Sequence, residues 1–267
     1  MKTRSFLIYA LCSLMHSCNL VDAQVVWLST KNMDFTNCDF EERDVKPFDA
    51  VSNTCPFDVI FEQSDEQYVQ VEGDEEYFDR LHTDVRRGVL EISIDPARYR
   101  NVRLRVKVGS PEISQITMAG SGSIICASDL ITEGDFTMRV AGSGDIVAKQ
   151  IKCTVFESSV SGSGDLSVNG IDAVDANLSV TGSGDWSAKQ ISAINLDMSV
   201  AGSGDISVSN VDIDDSLSAT VAGSGDIRAN GKATNVKAKV VGSGDISGRI
   251  KYETISKFKS GSGDIDW

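Results

Sequence analysis

Seven aspartates recur at nearly equal spacing between residues 145 and 264, and each follows a Gly-Ser-Gly tripeptide. They are Asp145, Asp165, Asp185, Asp205, Asp226, Asp245 and Asp264. An eighth tripeptide, residues 120–122, is followed by Ser123 instead. Two kinds of chemistry use such residues: oxygen ligands can bind calcium, and carboxylates about 5–5.5 Å apart can hydrolyse glycosides with retention. Both kinds of chemistry depend on the secondary-structure elements that position the aspartates.

The spacing of the tripeptides predicts those elements. The first glycines of successive copies lie 19 to 22 residues apart, and a fixed period of this size is typical of a solenoid, in which each repeat buries its apolar face against its neighbours. Apolar residues stand two positions before and four positions after the first glycine, as Val160 and Leu166 do. The sequence therefore predicts an all-β fold, a parallel β-solenoid with about 20 residues per coil.

The same alternation predicts where the motif side chains point. The apolar rows and both glycines face inward, with the glycines at a tight corner that requires unusual backbone angles. Ser and Asp face outward, and the aspartates form a ladder with a rise of about 4.8 Å per coil. Neighbouring charges at that distance repel by about 1 kcal/mol even in water. Hydrogen bonds from backbone N–H groups or serine hydroxyls could offset this repulsion.

Calcium ions bridging the ladder are the alternative. One Asp and one Ser per coil supply fewer oxygens than a calcium site normally uses, so the sequence favours the structural role. Catalysis is disfavoured too, because a carboxylate pair needs two different environments, whereas these seven are equivalent. The sequence also lacks a histidine pair for zinc and a Gly-x-Ser-x-Gly motif. We predict a protein that is not an enzyme. A glycan-active β-helix enzyme and a calcium-stabilised repeat protein are the alternatives.

The chain divides into four segments. Residues 1–23 have basic residues before an apolar run, which indicates an export signal. Residues 24–40 form a lead-in segment, and residues 41–267 form a single β-solenoid domain. Within this domain, short alternating runs such as Leu90, Ile92 and Ile94 predict a wider N-terminal section over residues 41–110. Residues 111–267 then form the repeat coils.

Two ways of processing the export signal fit its sequence. Cleavage after Ala23 fits the preference for small residues, whereas lipidation of Cys18 would anchor the protein to a membrane. Either predicts an exported protein in the periplasm, at the outer membrane or on the cell surface. Export permits disulfides, and Cys38 and Cys55 are the candidate pair because both lie in the irregular N-terminal segment.

Charge restricts the partners. A formal net charge of −14 and a pI near 4.5 argue against binding nucleic acid or anionic lipid by charge. The outward strip of Ser, Asp and small residues predicts a surface that binds a glycan or a protein. The final coil is basic, with Arg249, Lys251, Lys257 and Lys259. Its residues 257–259 are out of step by one position, which predicts a bulge or a cap, and we expect homo-oligomer contacts through this coil.

Several segments together resemble a known family. They are residues 43–51 (Arg-Asp-Val-Lys-Pro-Phe-Asp-Ala-Val), Asp58-Val59, residues 69–74 (Val-Gln-Val-Glu-Gly-Asp) and the serial Gly-Ser-Gly-Asp-Ile copies. Over residues 40–265 the chain is similar to the auto-transporter adhesin head GIN domain family. The resemblance implies a right-handed, three-sided β-helix in exported bacterial envelope proteins, with no established ligand or catalytic residues. The resulting prediction is a cell-envelope β-solenoid with a non-catalytic adhesion, binding or scaffolding role.

Overall fold

Twenty-one strands and one short 3₁₀-helix make up residues 34–267, the part of the chain that this computed structural model describes. The predicted export signal over residues 1–23 lies outside the described residues, as do cleavage after Ala23, lipidation of Cys18 and residues 24–33 of the predicted lead-in. The described residues stack into a β-solenoid of about 8 turns of about 20 residues, which confirms the predicted fold class.

The N-terminal section contains seven strands and the helix. In chain order they are β1 (Asp39–Glu42), β2 (Ala50–Asn53), β3 (Asp58–Gln63), β4 (Tyr68–Gly73), the 3₁₀-helix (Glu75–Arg80), β5 (Leu81–Arg86), β6 (Val89–Ile94) and β7 (Leu104–Ser110).

The repeat coils contain the other strands. They are β8 (Gln115–Met118), β9 (Ser123–Cys126), β10 (Leu130–Ile131), β11 (Phe136–Val140), β12 (Asp145–Lys152), β13 (Val155–Val160), β14 (Leu166–Asp172), β15 (Asp175–Val180), β16 (Trp186–Val200), β17 (Ile206–Val221), β18 (Ile227–Gly242), β19 (Ile246–Lys251), β20 (Thr254–Gly261) and β21 (Ile265–Asp266). All pairings among them are parallel, and strands before the motif pair with strands before the motif in the next coil.

The core is built from the two apolar rows that the sequence predicts. Two positions before the motif, Val160, Val180 and Val200 are fully buried and stacked in register. Four positions after it, Leu166 and Trp186 are equally buried and also in register. Burying each such side chain stabilises the fold by roughly 1.5–3 kcal/mol. Because each coil contacts only its neighbours, this stabilisation accumulates by stacking.

The motif glycines allow the backbones of successive coils to touch. A Cβ at Gly184 would lie 2.0 Å from the carbonyl oxygen of Gly164, and one at Gly164 would lie 2.0 Å from that of Gly144. Among the motif glycines only Gly242 and Gly261 have a left-handed φ, 144° and 124°. The predicted need for unusual backbone angles is therefore wrong for most copies. Close approach along the stack, rather than the corner itself, excludes a side chain there.

The N-terminal section adds one coil and then closes the solenoid. Strand β2 continues the column of β8, with Val51 opposite Ile116, and β3 continues the column of β9. Beyond this coil, β6 pairs in parallel with β2, and β7 pairs in parallel with β3. Three antiparallel pairs follow: β5 with β6, β4 with β7, and β1 with β4. Phe78 of the 3₁₀-helix is buried in the core cluster at this end. A folded-back hairpin at β5–β6 thus replaces further parallel coils.

The last coil keeps the register of the others. Strand β20 pairs with β18 without a shift from Thr254 to Gly261, so the predicted bulge is absent. Lys257 therefore stands opposite Ala238, in an inward row. Its ammonium donates hydrogen bonds to the backbone oxygens of Ile265 and Trp267, at 3.4 and 2.6 Å. Since Trp267 packs against the core, these residues cover the end of the apolar interior, as a cap would.

Candidate functional site

The aspartates of the repeat form a hydrogen-bonded column, here called the aspartate ladder. In each link, the Oδ1 atom of one aspartate accepts the backbone N–H of the aspartate in the next coil. The N···O distances are 2.7–2.8 Å for the links that join Asp145, Asp165, Asp185, Asp205, Asp226, Asp245 and Asp264. The structure thus brings all seven predicted residues together. It places six of their carboxylates, all except that of Asp264, in contact with backbone donors, the arrangement that the sequence favoured.

The ladder has an earlier member that the sequence interpretation missed. In the coil before the repeats, the Oδ1 atom of Asp58 accepts the N–H of Ser123 at 3.1 Å. Ser123 has no carboxylate to continue the chain of bonds, so the N–H of Asp145 bonds to the carbonyl of Gly122 instead, at 3.2 Å. A signal for this member exists in the sequence, because Asp58-Val59 matches the Asp-Ile pair that follows each Gly-Ser-Gly.

Cationic side chains contact the ladder at its C-terminal end. Arg228 bridges the Oδ2 atoms of Asp205 and Asp226, at 2.9 and 2.5 Å, and the carboxylate of Asp205 raises the pKa of the guanidinium. Lys259 pairs with Asp264. Among residues 34–267, the other ladder aspartates of the repeat form no ion pair. Charge-assisted bonds from backbone N–H groups therefore offset their mutual repulsion.

The ladder does not offer a ready-made metal site. Over the described part of the chain, no group of three or more His, Cys, Asp or Glu side chains is placed to hold a metal ion. One oxygen of each bonded aspartate is engaged by the next coil, so each coil presents only the remaining Oδ2 and a serine hydroxyl. Calcium bridging stays a prediction to be tested. The hydrogen bonds of the ladder hold successive coils in register at one corner.

A shallow groove lies on the sheet face that precedes this corner, and we call it the outer groove. It has a volume of about 260 Å³ and crosses four coils. Its outward side chains are Thr137, Arg139, Glu157, Ser159, Asn177, Ser179, Asp197 and Ser199. Within residues 34–267 none of these side chains forms a hydrogen bond or ion pair. The sequence interpretation placed the binding strip at the motif itself and missed this face.

The groove side chains stand in two straight columns. Ser159, Ser179 and Ser199 are in register in one column, and Glu157, Asn177 and Asp197 are in register in the other. Neighbouring members of a column are about 4.8 Å apart because that is the spacing of paired strands. The signal in the sequence is the recurrence of small polar residues three and five positions before the motif.

The cysteines are separate thiols. All four in the described residues are free, and the predicted Cys38–Cys55 disulfide is not formed in this structure. Cys38 lies beside the carbonyl of Asp34, with an S···O distance of 3.8 Å, whereas Cys55 is buried. Burial raises the pKa of Cys55 and of Cys126 to about 12, which suppresses the reactive thiolate.

These features define a class of protein, a parallel β-solenoid held in register by an aspartate ladder and presenting a flat polar face. Residues 47–233 match the family described as "Putative auto-transporter adhesin, head GIN domain". The chain belongs to this family, which confirms the resemblance seen in the sequence. No curated protein matches it. The six-residue 3₁₀-helix, the one helix of the described residues, is too short to cross a membrane.

Three solved structures share the fold. One is a "putative lipid binding protein" from Parabacteroides distasonis, with 28% identity, a TM-score of 0.73, and coverage of 86% of this chain and 96% of that one. The second is a "putative adhesin" from Parabacteroides merdae, with 21% identity, a TM-score of 0.72, and coverage of 86% and 95%. The third is a "putative adhesin" from Parabacteroides distasonis, with 23% identity, a TM-score of 0.73, and coverage of 86% and 96%.

Proposed function

We propose that this protein is an exported, non-catalytic binding module of the bacterial cell envelope, which holds a surface glycan or protein along the outer groove. The observation that carries the proposal is the groove itself, where the polar side chains of four coils face outward without partners in the described residues. The adhesin names of the family and of two structural relatives support an adhesion role.

The shape of the groove fits an extended partner. Its columns of hydroxyl, amide and carboxylate groups repeat every coil on a flat sheet, so a polymer lying along the stack meets a donor or acceptor at each step. The backbone beneath is fixed by parallel pairing and by the aspartate ladder. A rigid surface loses little conformational entropy on binding, which strengthens association.

A catalytic role has less support in the geometry. In the ladder, successive aspartates have the same backbone partner at nearly the same distance, whereas acid–base catalysis requires a pair with different environments. In the groove, Glu157 and Asp197 stand in one column with Asn177 between them. Both carboxylates are exposed on an open face, where water is not excluded from a reacting group.

The groove can be tested with a matched pair of variants. Binding is measured on an array of bacterial and host glycans and on immobilised matrix proteins. The triple variant S159R/S179R/S199R fills the groove with long side chains, and S163R/S183R/S203R adds the same charge at the motif corner of the same coils. We expect the first to weaken binding at least tenfold and the second to retain it. Equal binding by both variants would refute the outer groove as the binding surface.

A further inference from the structure

The acidic net charge of the chain conceals a basic end. Residues 34–227 contain 14 basic and 34 acidic residues, a formal charge of −20, whereas residues 228–267 contain 8 basic and 4 acidic residues, a formal charge of +4. The last coils therefore carry a local charge opposite to the rest of the solenoid. The acidic net charge therefore does not exclude anionic partners at this end.

Part of this positive charge is unpaired. One outward column of the stack runs through Lys152, Asp172, Ser192, Asp212, Lys232 and Lys251. Lys152 pairs with Asp172 at 3.6 Å, and Lys232 pairs with Asp212 at 2.9 Å. Lys251 stands beside Lys232, whose ammonium is already engaged, and it forms no ion pair or hydrogen bond within the described residues.

Arg249 is unpaired in the same way. Its backbone N–H donates a hydrogen bond to the side-chain oxygen of Asn230 at 3.1 Å, but its guanidinium has no partner in residues 34–267. Two residues apart on β19, Arg249 and Lys251 line the same side of the strand and the same depression. Two exposed cations on the same side of a strand repel each other, and a bound anion would relieve that repulsion.

The surface around these cations is concave. Two adjoining depressions of about 420 and 290 Å³ share Lys232 and Lys251 in their walls. We call them together the basic depression, and the side chains that matter here are Asp212, Lys232, Arg249, Lys251, Tyr252 and Glu253. Tyr252 is 42% exposed. The depression thus combines two free cations, carboxylate acceptors and an aromatic ring.

We propose that the basic depression binds an acidic saccharide, a sugar that carries carboxylate groups. The guanidinium of Arg249 offers a planar pair of donors that matches a carboxylate, and Lys251 adds a second positive charge. Glu253 accepts hydrogen bonds from sugar hydroxyls, and the exposed ring of Tyr252 provides a flat apolar surface for a sugar ring. This site is separate from the outer groove, so it does not depend on the proposed function.

An anionic membrane fits the depression less well. Asp212, Asp214 and Glu253 line its walls, and carboxylates repel an anionic lipid surface while they suit the hydroxyls of a saccharide. The preceding coils are strongly acidic, so a flat membrane pressed against this end would also meet repulsion from residues 111–227. A short saccharide contacts the concave site alone.

The test uses trigalacturonate as the probe and isothermal titration calorimetry as the measurement. The variant R249Q/K251Q removes two charges from the depression, and K152Q/K189Q removes two charges from exposed positions on earlier coils. We expect R249Q/K251Q to weaken the Kd for trigalacturonate at least tenfold, and K152Q/K189Q to change it less than twofold. R249K/K251R keeps both charges but loses the guanidinium at position 249, so it is expected to bind more tightly than R249Q/K251Q and more weakly than the wild type. A salt concentration of 0.5 M is expected to weaken binding by the wild type.

Further probes give outcomes that overturn the proposal. Maltotriose is neutral and is expected not to bind; binding as tight as that of trigalacturonate would show that charge is not recognised. Inorganic phosphate binding as tightly as trigalacturonate would reduce the site to a simple anion site. Phosphatidylglycerol vesicles that sediment the wild type, but not R249Q/K251Q, without any trigalacturonate binding would assign the surface to a membrane. The variant S159R/S179R/S199R is expected to bind trigalacturonate normally, which separates this site from the outer groove.

Discussion

The carboxylate of Asp165 accepts the backbone N–H of Asp185, its counterpart in the next coil, at an N···O distance of 2.8 Å. Each aspartate from Asp165 to Asp245 is therefore the acceptor for one neighbour and the donor to the other. The ladder therefore exists only when coils are stacked, because each of its hydrogen bonds joins two successive coils. It also explains how like charges can recur along a corner at strand spacing, because each carboxylate is stabilised by a fixed backbone dipole.

The ladder predicts different results for two substitutions at Asp185. D185A removes the acceptor of the Asp205 N–H and is expected to lower the free energy of unfolding by about 1–2 kcal/mol. D185N keeps an oxygen in place and removes one charge from the column, so we expect a change within about 0.5 kcal/mol. Urea unfolding measures both. Equal losses in the two variants would show that charge, rather than hydrogen bonding, is what the position requires.

Chelation of calcium is expected to leave the protein unchanged, because one oxygen of each linked aspartate is already bonded to the backbone. A cation present at 100 times its Kd would stabilise the fold by about 2.7 kcal/mol. That would raise the Tm of a chain of this size by about 5–10 °C. We expect no difference in Tm between protein in EDTA and protein in millimolar calcium. A calcium-dependent rise in that range would instead establish the calcium-stabilised alternative.

The contact between coils at the motif glycines predicts strong sensitivity to a methyl group. In G184A the new Cβ would lie 2.0 Å from the carbonyl oxygen of Gly164, and relief requires the coils to separate. We expect a loss of at least about 3 kcal/mol in the free energy of unfolding, or no folded protein. Gly134 is the control, since a Cβ there would lie 4.0 Å from its nearest neighbour, Oγ1 of Thr132. G134A should stay within about 0.5 kcal/mol of the wild type.

Glu72 predicts part of the acid sensitivity of the fold. Burial by itself raises the pKa of Glu72, but hydrogen bonds from Lys107 and Arg105 outweigh it and hold the pKa below its ordinary value. Ionised Glu72 therefore stabilises the fold above the unfolded-state pKa of about 4.3, and this stabilisation is lost as the pH falls through the lower folded-state pKa. We expect E72Q to cost more stability at pH 7 than at pH 3 in urea unfolding.

The control for this prediction is E91Q. Glu91 pairs with Arg86 at 3.2 Å, but both side chains are well exposed, and exposed pairs contribute little. We expect E91Q to have a small effect at either pH. An E72Q cost that does not change between pH 7 and pH 3 would contradict the assigned role of Glu72.

Self-association remains the prediction for the C-terminal coil. Within residues 34–267, β20 pairs with β18 along one side, and its sequence carries Lys257 and Lys259. Edge lysines oppose pairing with another copy through charge repulsion, and salt screens that repulsion. We therefore expect the mass measured by light scattering at high protein concentration to rise between 0.05 and 1 M salt. A monomeric mass at both salt concentrations would exclude contact through this edge.

Much of the fold could be predicted because the relevant signals are local. The alternation around Val160 and Leu166 places both side chains in the core whatever lies in the neighbouring coil. The repeat period then stacks each inward residue on the equivalent residue of the preceding coil. The turn of the β5–β6 hairpin is local too, because it involves only Arg87 and Gly88. Both residues have a positive φ, as a tight turn between antiparallel strands requires.

The site was less predictable because its parts meet only through stacking. Asp58 reaches Ser123, which lies 65 residues further along the chain, and no local pattern shows that these two coils are adjacent. The outer groove likewise requires the register of β11, β13, β15 and β16. The free charges of Arg249 and Lys251 become evident only when the pairing of Lys232 with Asp212 is known.

The sequence alone determined the period, the inward rows, the outward aspartates and the family. These features follow from side-chain alternation and repetition, which act over a few residues at a time. The tertiary structure decided what the repeated residues do. It showed that the glycines are required by contact between coils, that the aspartates bond to the next backbone, and that the exposed polar groups gather in a groove and a basic depression. Those outcomes depend on atoms about 20 residues apart in the chain, which only stacking brings together.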